Sequence, residues 1–264
     1  MSSTVITQPG TLCLGCHQPL AGPYCAACGQ PAATRARITL KDLLHDIPHS
    51  IWHVDHGVFY TLRELLARPG ATLRRYLAGE RARFFRPLAL LLLVAGVASL
   101  LMAVLHLDKV MAEVPARNAS AQAQAVARSM TAVNHLILKY FSWFTIAMLP
   151  LYAWLSWALL RRLQLYYTEH LLANAFLLSA ALLLQIGFMP LQKFTTGGPF
   201  FQAIMLCESA ALPLYQAWAF NQFANPAYVG GGRVARVLLI AGLGLIINTL
   251  FIGGLAWLIV WIMR

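Results

Sequence analysis

Five long apolar runs dominate the chain beyond residue 86 and limit what it can fold into. They cover residues 87–107, 140–160, 171–191, 200–220 and 237–262. Each is near the ~20 residues that an α-helix needs to cross the hydrocarbon core of a bilayer. We therefore predict that residues 87–264 form an all-α integral membrane helical bundle with about five transmembrane helices.

The overall composition favours the same class of protein. Hydrophobic residues make up 59% of the chain and charged residues 11%, whereas soluble domains average about 45–50% and about 25%. A soluble globule of this size could not bury so much apolar surface. Intrinsic disorder is excluded as well, because disordered chains are poor in apolar residues.

The basic residues predict the orientation of this bundle in the membrane. The chain has 20 Lys and Arg residues against 9 Asp and Glu residues, and ten of the 20 lie in residues 1–86. Cytoplasmic segments of membrane proteins carry an excess of Lys and Arg. A cytoplasmic N-terminus would place fourteen of the 20 inside and six outside. We therefore predict a multi-pass protein whose N-terminus is cytoplasmic.

The N-terminal segment, residues 1–34, contains four of the five cysteines and no Asp, Glu, Lys or Arg. The cysteines form two Cys-x-x-Cys pairs, Cys13 with Cys16 and Cys25 with Cys28, and eight residues separate the pairs. Two intervening residues allow both thiolates of a pair to reach one ion. Two such pairs complete a tetrahedral sulfur site that suits zinc. We predict a small zinc ribbon in residues 1–34.

Other interpretations of the cysteines remain open. A redox dithiol normally accompanies a βαβ pattern, which is absent here, and disulfides would require an oxidising compartment. Iron could occupy the site instead of zinc. A closed four-thiolate site lacks an open coordination position and is therefore structural. Such a ribbon either docks a protein partner or only stabilises a short segment. Its lack of cationic side chains argues against nucleic acid.

Residues 35–86 predict basic amphipathic helices that lie on the inner leaflet. Arginines, interfacial aromatics and an apolar face occur together in this segment, as in helices that bind membrane surfaces. Five arginines near the first span are candidate contacts for anionic lipid headgroups: Arg74, Arg75, Arg81, Arg83 and Arg86. The alternative is that they only set the topology.

Three histidines form a second candidate site within the predicted helix 38–56. His45, His49 and His53 recur every four residues, so they share one face of an ideal helix. Such a face can bind a metal ion or titrate near neutral pH. The alternative is a solvated polar face, because Pro48 disturbs the helical register.

Glu208 is the one acidic residue predicted within a span. An intramembrane acid is by default a functional-site hypothesis, since its burial in lipid is costly. Amide side chains at Asn174, Gln185 and Asn248 occupy other predicted spans. Together with Glu208 they would line a polar path for an ion, a proton or a lipid headgroup. The alternative for the amides is hydrogen bonding between helices.

A family resemblance follows from several motifs in order. The cysteine pairs end in Cys28-Gly29-Gln30, and two further motifs follow: Asp55-His-Gly57…Thr61-Leu…Leu66-x-Arg-Pro69-Gly70 and Arg75-Tyr76-Leu77-x-Gly79-x-Arg81. The chain in this respect resembles the bacterial domain-of-unknown-function family numbered 3667. The resemblance implies a zinc-ribbon membrane protein of uncharacterised activity. We expect it in the bacterial inner membrane. It supplies no catalytic residues.

The sequence contains no phosphate-binding loop, nucleophile elbow or paired carboxylates placed for hydrolysis. We therefore expect a non-enzymatic membrane protein that docks a cytoplasmic protein partner or anionic lipid. The alternative is a small transporter, channel or lipid-translocating protein that uses Glu208. The sequence predicts neither a substrate nor an oligomeric state.

Overall fold

The computed structural model describes residues 12–32, 34, 57–107, 140–196, 199–225 and 227–262. Within these ranges the chain forms seven α-helices, one short 3-10 helix (Arg161–Leu163) and no strand. The helices are α1 Gly57–Ala67, α2 Pro69–Leu77, α3 Pro87–Val104, α4 Phe141–Leu159, α5 Tyr167–Thr195, α6 Pro199–Ala224 and α7 Gly231–Ile262.

The five longest helices, α3 to α7, fall on the five predicted apolar runs. Three segments are long and apolar enough to cross a membrane: Pro87–Val104, Tyr167–Thr195 and Gly231–Phe251. The apolar part of α4, Trp143–Leu159, is shorter, and α6 includes Glu208. The all-helical fold is thus confirmed for the described residues, and three of its segments have the length and apolar composition of membrane spans. The count of five crossings stays a prediction.

A proline is the first residue of three of the described helices, α2, α3 and α6. Pro69 is the first residue of α2 and Pro87 is the first residue of α3. Proline suits this position because its missing N–H would have no intrahelical partner there. Only Arg68 separates α1 from α2, so the chain turns sharply between these two helices.

Helix α5 lies at the centre of the bundle and packs against α3, α4 and α6. Its Phe176 is almost fully buried and meets the ring of Tyr76 from α2 edge-on, at 5.0 Å between centroids. Residues from α1 and α2 belong to the same buried apolar cluster as those of the long helices. The core therefore continues across the predicted boundary between residues 35–86 and 87–264.

The contact between α2 and α6 is unusually close at Gly70. Its N–H donates to Gln222 Oε1 at 3.2 Å. A Cβ atom at this position would lie only 2.5 Å from the backbone nitrogen of Phe223, well inside van der Waals contact. Glycine is therefore required here by the approach of two backbones.

We expect Gly70→Ala to lower the free energy of unfolding by about 1–3 kcal/mol, because the added methyl group forces α2 away from α6. The midpoint of thermal unfolding in detergent, followed by circular dichroism, measures this. Gly187→Ala in α5 is the matched control, since nothing lies within 4 Å of its Cβ position. An equal effect of both changes would contradict the packing argument.

Candidate metal centre

The four predicted cysteine ligands converge at one point. Their Sγ atoms all lie within 4.8 Å of one another. The separation is 3.6 Å between Cys13 and Cys28 and 3.4 Å between Cys16 and Cys25. Four thiolates around one ion at Zn–S distances of ~2.3 Å would be ~3.8 Å apart. The cluster can therefore hold a metal ion, and its sulfurs are too far apart to be disulfide-bonded, at ~2.05 Å.

The ribbon, which we define as residues 12–32, consists of two similar turns. In the first, Cys13 N–H donates to Gln18 O at 2.9 Å; in the second, Cys25 N–H donates to Gln30 O at 2.9 Å. Antiparallel bridges join Leu12 to Pro19 and Tyr24 to Pro31. The second turn thus repeats the first with an offset of twelve residues.

This repeat is visible in the sequence as Cys-x-x-Cys-x-Gln-Pro, although our sequence analysis did not use it. The residue after each second cysteine has a positive φ, 58° at His17 and 73° at Gly29. Glycine adopts that conformation freely, whereas the side chain of His17 makes it less favourable. The tight turn carries each pair of sulfurs to the same side.

The backbone around the cysteines favours the thiolate form. Cys13 and Cys25 are buried, and the N–H of Gly15 points to the sulfur of Cys13 at 3.4 Å. Backbone N–H groups of Cys28 and Ala27 lower the pKa of the Cys25 thiol to about 7. Hydrogen bonds to the charged form stabilise it. At Cys28 the backbone hydrogen bond at Gln30 acts in the same direction, but burial and the neighbouring sulfurs outweigh it and raise the pKa to about 12. The thiolate that binds metal is therefore favoured at Cys25 rather than at all four cysteines.

One side chain of the ribbon is buried against the helical bundle. Gln30 is 2% exposed. Its Nε2 donates to Gly79 O at 2.9 Å, and its Oε1 accepts the N–H groups of Arg81 at 3.2 Å and Ala82 at 3.3 Å. The amide thus satisfies three backbone groups in the loop between α2 and α3, which fixes the ribbon to that loop.

Two glycines allow the ribbon to approach so closely. Gly79 has φ of +108°, and a Cβ there would lie 2.9 Å from Cδ1 of Leu14. A Cβ at Gly15 would lie 2.5 Å from Oε1 of Gln30. A larger residue at Gly79 would therefore displace Leu14 of the ribbon, and a larger residue at Gly15 would displace the amide of Gln30 within the ribbon itself.

A network centred on Arg75 shapes the loop beneath the ribbon. Its guanidinium forms a two-pronged ion pair with Glu80 at 2.6 and 2.7 Å, and it also reaches Glu64 at 3.3 Å. The ring of Phe84 lies 5.2 Å from the guanidinium carbon. The pair raises the pKa of Arg75 and lowers the pKa of Glu80, chiefly through their mutual hydrogen bonds. Both groups are therefore held in their charged forms.

The other candidate lipid-contacting arginines have different surroundings. Arg74 donates to the carbonyls of Gln222 and, at 3.1 Å, Asn225 at the C-terminal end of α6, where cations are favourable. The guanidinium of Arg81 lies over the ring of Tyr76, at 5.7 Å. Arg83 and Arg86 are exposed. Lipid contact by these residues stays a prediction.

The histidine and Glu208 hypotheses have different outcomes. His45, His49 and His53 lie outside the described residues.

Glu208 is buried, and its carboxylate accepts a hydrogen bond from Gln192 of α5. Tyr215, seven residues further along α6, instead donates to Leu65 O of α1 at 2.9 Å. Within the described residues Glu208 is hydrogen-bonded to Gln192 and not to Asn174, Gln185 or Asn248, the amides predicted to share its polar path.

A buried polar cluster at the start of α5 contains Asn174, an amide named from the sequence, together with two residues that the sequence patterns did not single out, His170 and Ser156. His170 is 1% exposed, and its Nδ1 lies 3.0 Å from Ser156 Oγ. Asn174 Nδ2 donates to the same Ser156 Oγ at 2.8 Å. The apolar run predicts a span that begins at residue 171, whereas α5 begins at Tyr167. The position of His170 directly before a long apolar run was the sequence feature that could have indicated a buried imidazole.

Comparison with known proteins adds one finding. Residues 55–98 match the family described as Protein of unknown function (DUF3667). The predicted family resemblance is thereby confirmed. The matched segment contains α1, α2, the loop that receives Gln30 and most of α3, whereas the ribbon lies outside it. No curated protein and no solved structure is significantly similar to the chain.

We expect Gln30→Ala to release the ribbon from the loop without loss of metal, because Gln30 contributes no ligand atom. Amide hydrogen exchange at Arg81 and Ala82, measured by mass spectrometry, should become faster by about ten-fold, as expected for loss of one such hydrogen bond. Gln18→Ala is the matched control: it occupies the equivalent position in the first turn and is exposed. Unchanged exchange in Gln30→Ala would show that the contact does not hold the loop.

Proposed function

We propose that the chain is a non-enzymatic protein of the bacterial inner membrane whose cytoplasmic zinc ribbon docks a protein partner. One observation carries the proposal: one side of the ribbon is bound to the helical bundle, and another side exposes apolar side chains. Gln30 and Leu14 hold it to the bundle. Leu12 and Tyr24 occupy equivalent positions in the two turns and are 57% and 64% exposed. Exposed aromatic and aliphatic side chains on a fixed support are typical contacts for a partner.

The chemistry of the cysteine cluster supports a structural metal. Four thiolates fill the tetrahedral coordination of zinc and leave no position for a substrate or a water molecule. The ribbon also has little apolar core, with only Cys13 and Cys25 among its buried hydrophobic residues. A segment this small normally needs a metal or disulfides for stability. Zinc would therefore supply much of the ribbon's folding energy.

The distribution of basic residues supports a cytoplasmic ribbon. Arg162 and Arg236 both pack on Tyr228, at 5.7 and 4.7 Å, near the end of α6 that Arg74 contacts. Of the twelve Lys and Arg residues in the described part of the chain, eleven lie at this end and Lys193 lies towards the other. Such an excess favours the cytoplasmic side. The exposed arginines there would also attract anionic lipid.

The alternative function is transport through Glu208, and the contact that the described residues give this side chain does not favour it over helix packing. The carboxylate is hydrogen-bonded to Gln192 between α5 and α6, an arrangement that equally serves helix packing. Transport, channel activity or lipid translocation through Glu208 therefore stays a prediction. Glu208→Gln, which keeps the hydrogen-bonding shape, would have to abolish flux for that alternative to hold.

We expect the purified protein to contain about one equivalent of zinc, since one tetrahedral site uses all four ribbon thiolates. Elemental analysis by mass spectrometry measures the metal. Cys13→Ser with Cys16→Ser should lose it, whereas Cys207→Ser should retain it, because Cys207 lies on α6 outside the cluster. Iron in place of zinc would contradict the metal assignment, and metal retained by the double variant would contradict the site.

The docking proposal is tested by crosslinked capture from native membranes. We expect a specific protein to be recovered with the wild type and lost with Leu12→Ser/Tyr24→Ser, because these changes remove the apolar contacts. Phe59→Ser is the matched control, since Phe59 is 82% exposed but lies on α1. Equal recovery from all three, or no specific protein, would contradict a docking role for the ribbon.

A further inference from the structure

A second feature of the molecule lies within the bundle, away from the ribbon. A partly open cavity of about 340 Å³ lies between α4, α5, α6 and α7. This volume is at the lower end of the range of about 300–1,000 Å³ that small-molecule sites occupy. The cavity lies near the middle of these helices, so a ligand would enter it from the membrane.

Polar side chains from each of the four helices reach this cavity. Tyr152 of α4, Gln185 of α5, Gln216 of α6 and Asn248 of α7 all line it. Across the described part of the chain, none of these four side chains has a hydrogen-bond partner. Each amide offers donors and an acceptor, and unsatisfied polar groups at membrane depth are costly. The four groups therefore form a set that an occupant can satisfy.

The lining contains no Asp, Glu, Lys, Arg or His residue among those described. A charged ligand would have to leave water and enter this site without a counter-ion, at considerable cost. Glu208 does not line the cavity, although its neighbour Ser209 does. The site therefore selects for an uncharged molecule and is distinct from the Glu208–Gln192 contact.

Apart from the hydroxyl groups of Thr145 and Ser209, the remaining walls are apolar. They come chiefly from aliphatic and aromatic side chains: Phe144, Met148, Leu178, Leu182, Leu212 and Leu245. Apolar walls with a few convergent hydrogen-bonding groups are typical of sites for amphipathic ligands. The amides match hydroxyl and carbonyl groups, and the walls match a hydrocarbon chain.

We propose that this cavity binds an uncharged amphipathic lipid, whose hydroxyl or ester groups hydrogen-bond to Gln185, Gln216 and Asn248 and whose chain contacts the apolar walls. The inference is independent of the ribbon and of its partner. It assigns to the bundle a ligand site of its own.

The test uses the full-length protein in nanodiscs and a monoacylglycerol probe that carries a photoreactive diazirine and an alkyne in its acyl chain. We expect saturable labelling of peptides from α4 to α7, competed by unmodified monoacylglycerol. A fatty acid with the same chain serves as the charged comparison, and it should label these peptides much more weakly. Equal or stronger labelling by the fatty acid would overturn the proposal.

Two variants probe the cavity, and each has a control on the same helix. Gln216→Leu should weaken labelling by about ten-fold through loss of hydrogen bonds in an apolar site. Gly244→Leu should abolish it, because a Cβ at Gly244 points to Tyr152 at 3.8 Å and a larger side chain fills the space. The controls are Gln202→Leu, which is exposed, and Gly242→Leu, whose Cβ position is open.

All variants must elute as monodisperse protein with unchanged metal content before labelling, so that misfolding is distinguished from loss of the site. If Gln216→Leu misfolds, the comparison of Gly244→Leu with its control Gly242→Leu still tests whether the lipid binds in the cavity. Labelling that is not competed, or that persists unchanged in Gly244→Leu, would overturn the proposal. A cavity that holds only water would give that result.

Discussion

Burial of α5 between α3, α4 and α6 is the interaction on which the rest of the structure depends. Because backbone groups in a membrane must be satisfied within the helix, side-chain packing is what remains to hold helices together. Phe176 of α5 contacts Tyr76 of α2, so the short helices before the first span join the same core. The loop after Tyr76 then receives Gln30. The metal centre is thus connected to the bundle by a continuous series of contacts.

The segment matched by the family model is a structural unit for physical reasons. It contains both α1 and α2, the close glycine contact with α6 at Gly70, and the Arg75–Glu80 pair that shapes the loop. Two charged side chains that satisfy each other at a partly buried position constrain geometry more than they add stability. The unit forms a surface of defined shape on which the ribbon can rest.

The metal ligands and the helices could be predicted from local sequence patterns, whereas the contacts between distant parts of the chain could not. The spacing of Cys13 and Cys16 predicts a metal site because the distance between two ligands two residues apart depends on only a few bonds. Long apolar runs predict helices because a helix satisfies all of its backbone hydrogen bonds within lipid. Gln30 was overlooked because its three partners lie about fifty residues away. His170 was overlooked because the predicted start of the span fell one residue beyond it.

The sequence by itself determined the helical membrane class, the cysteine cluster and the presence of amides at membrane depth. Only the tertiary structure decided which of these groups meet. Gln185, Gln216 and Asn248 surround one cavity, whereas Glu208 turns to Gln192. Hydropathy and ligand spacing act over a few residues, but the neighbours of a side chain across a bundle depend on helix rotation and on which helices pack together. No pattern within a single span contains that information.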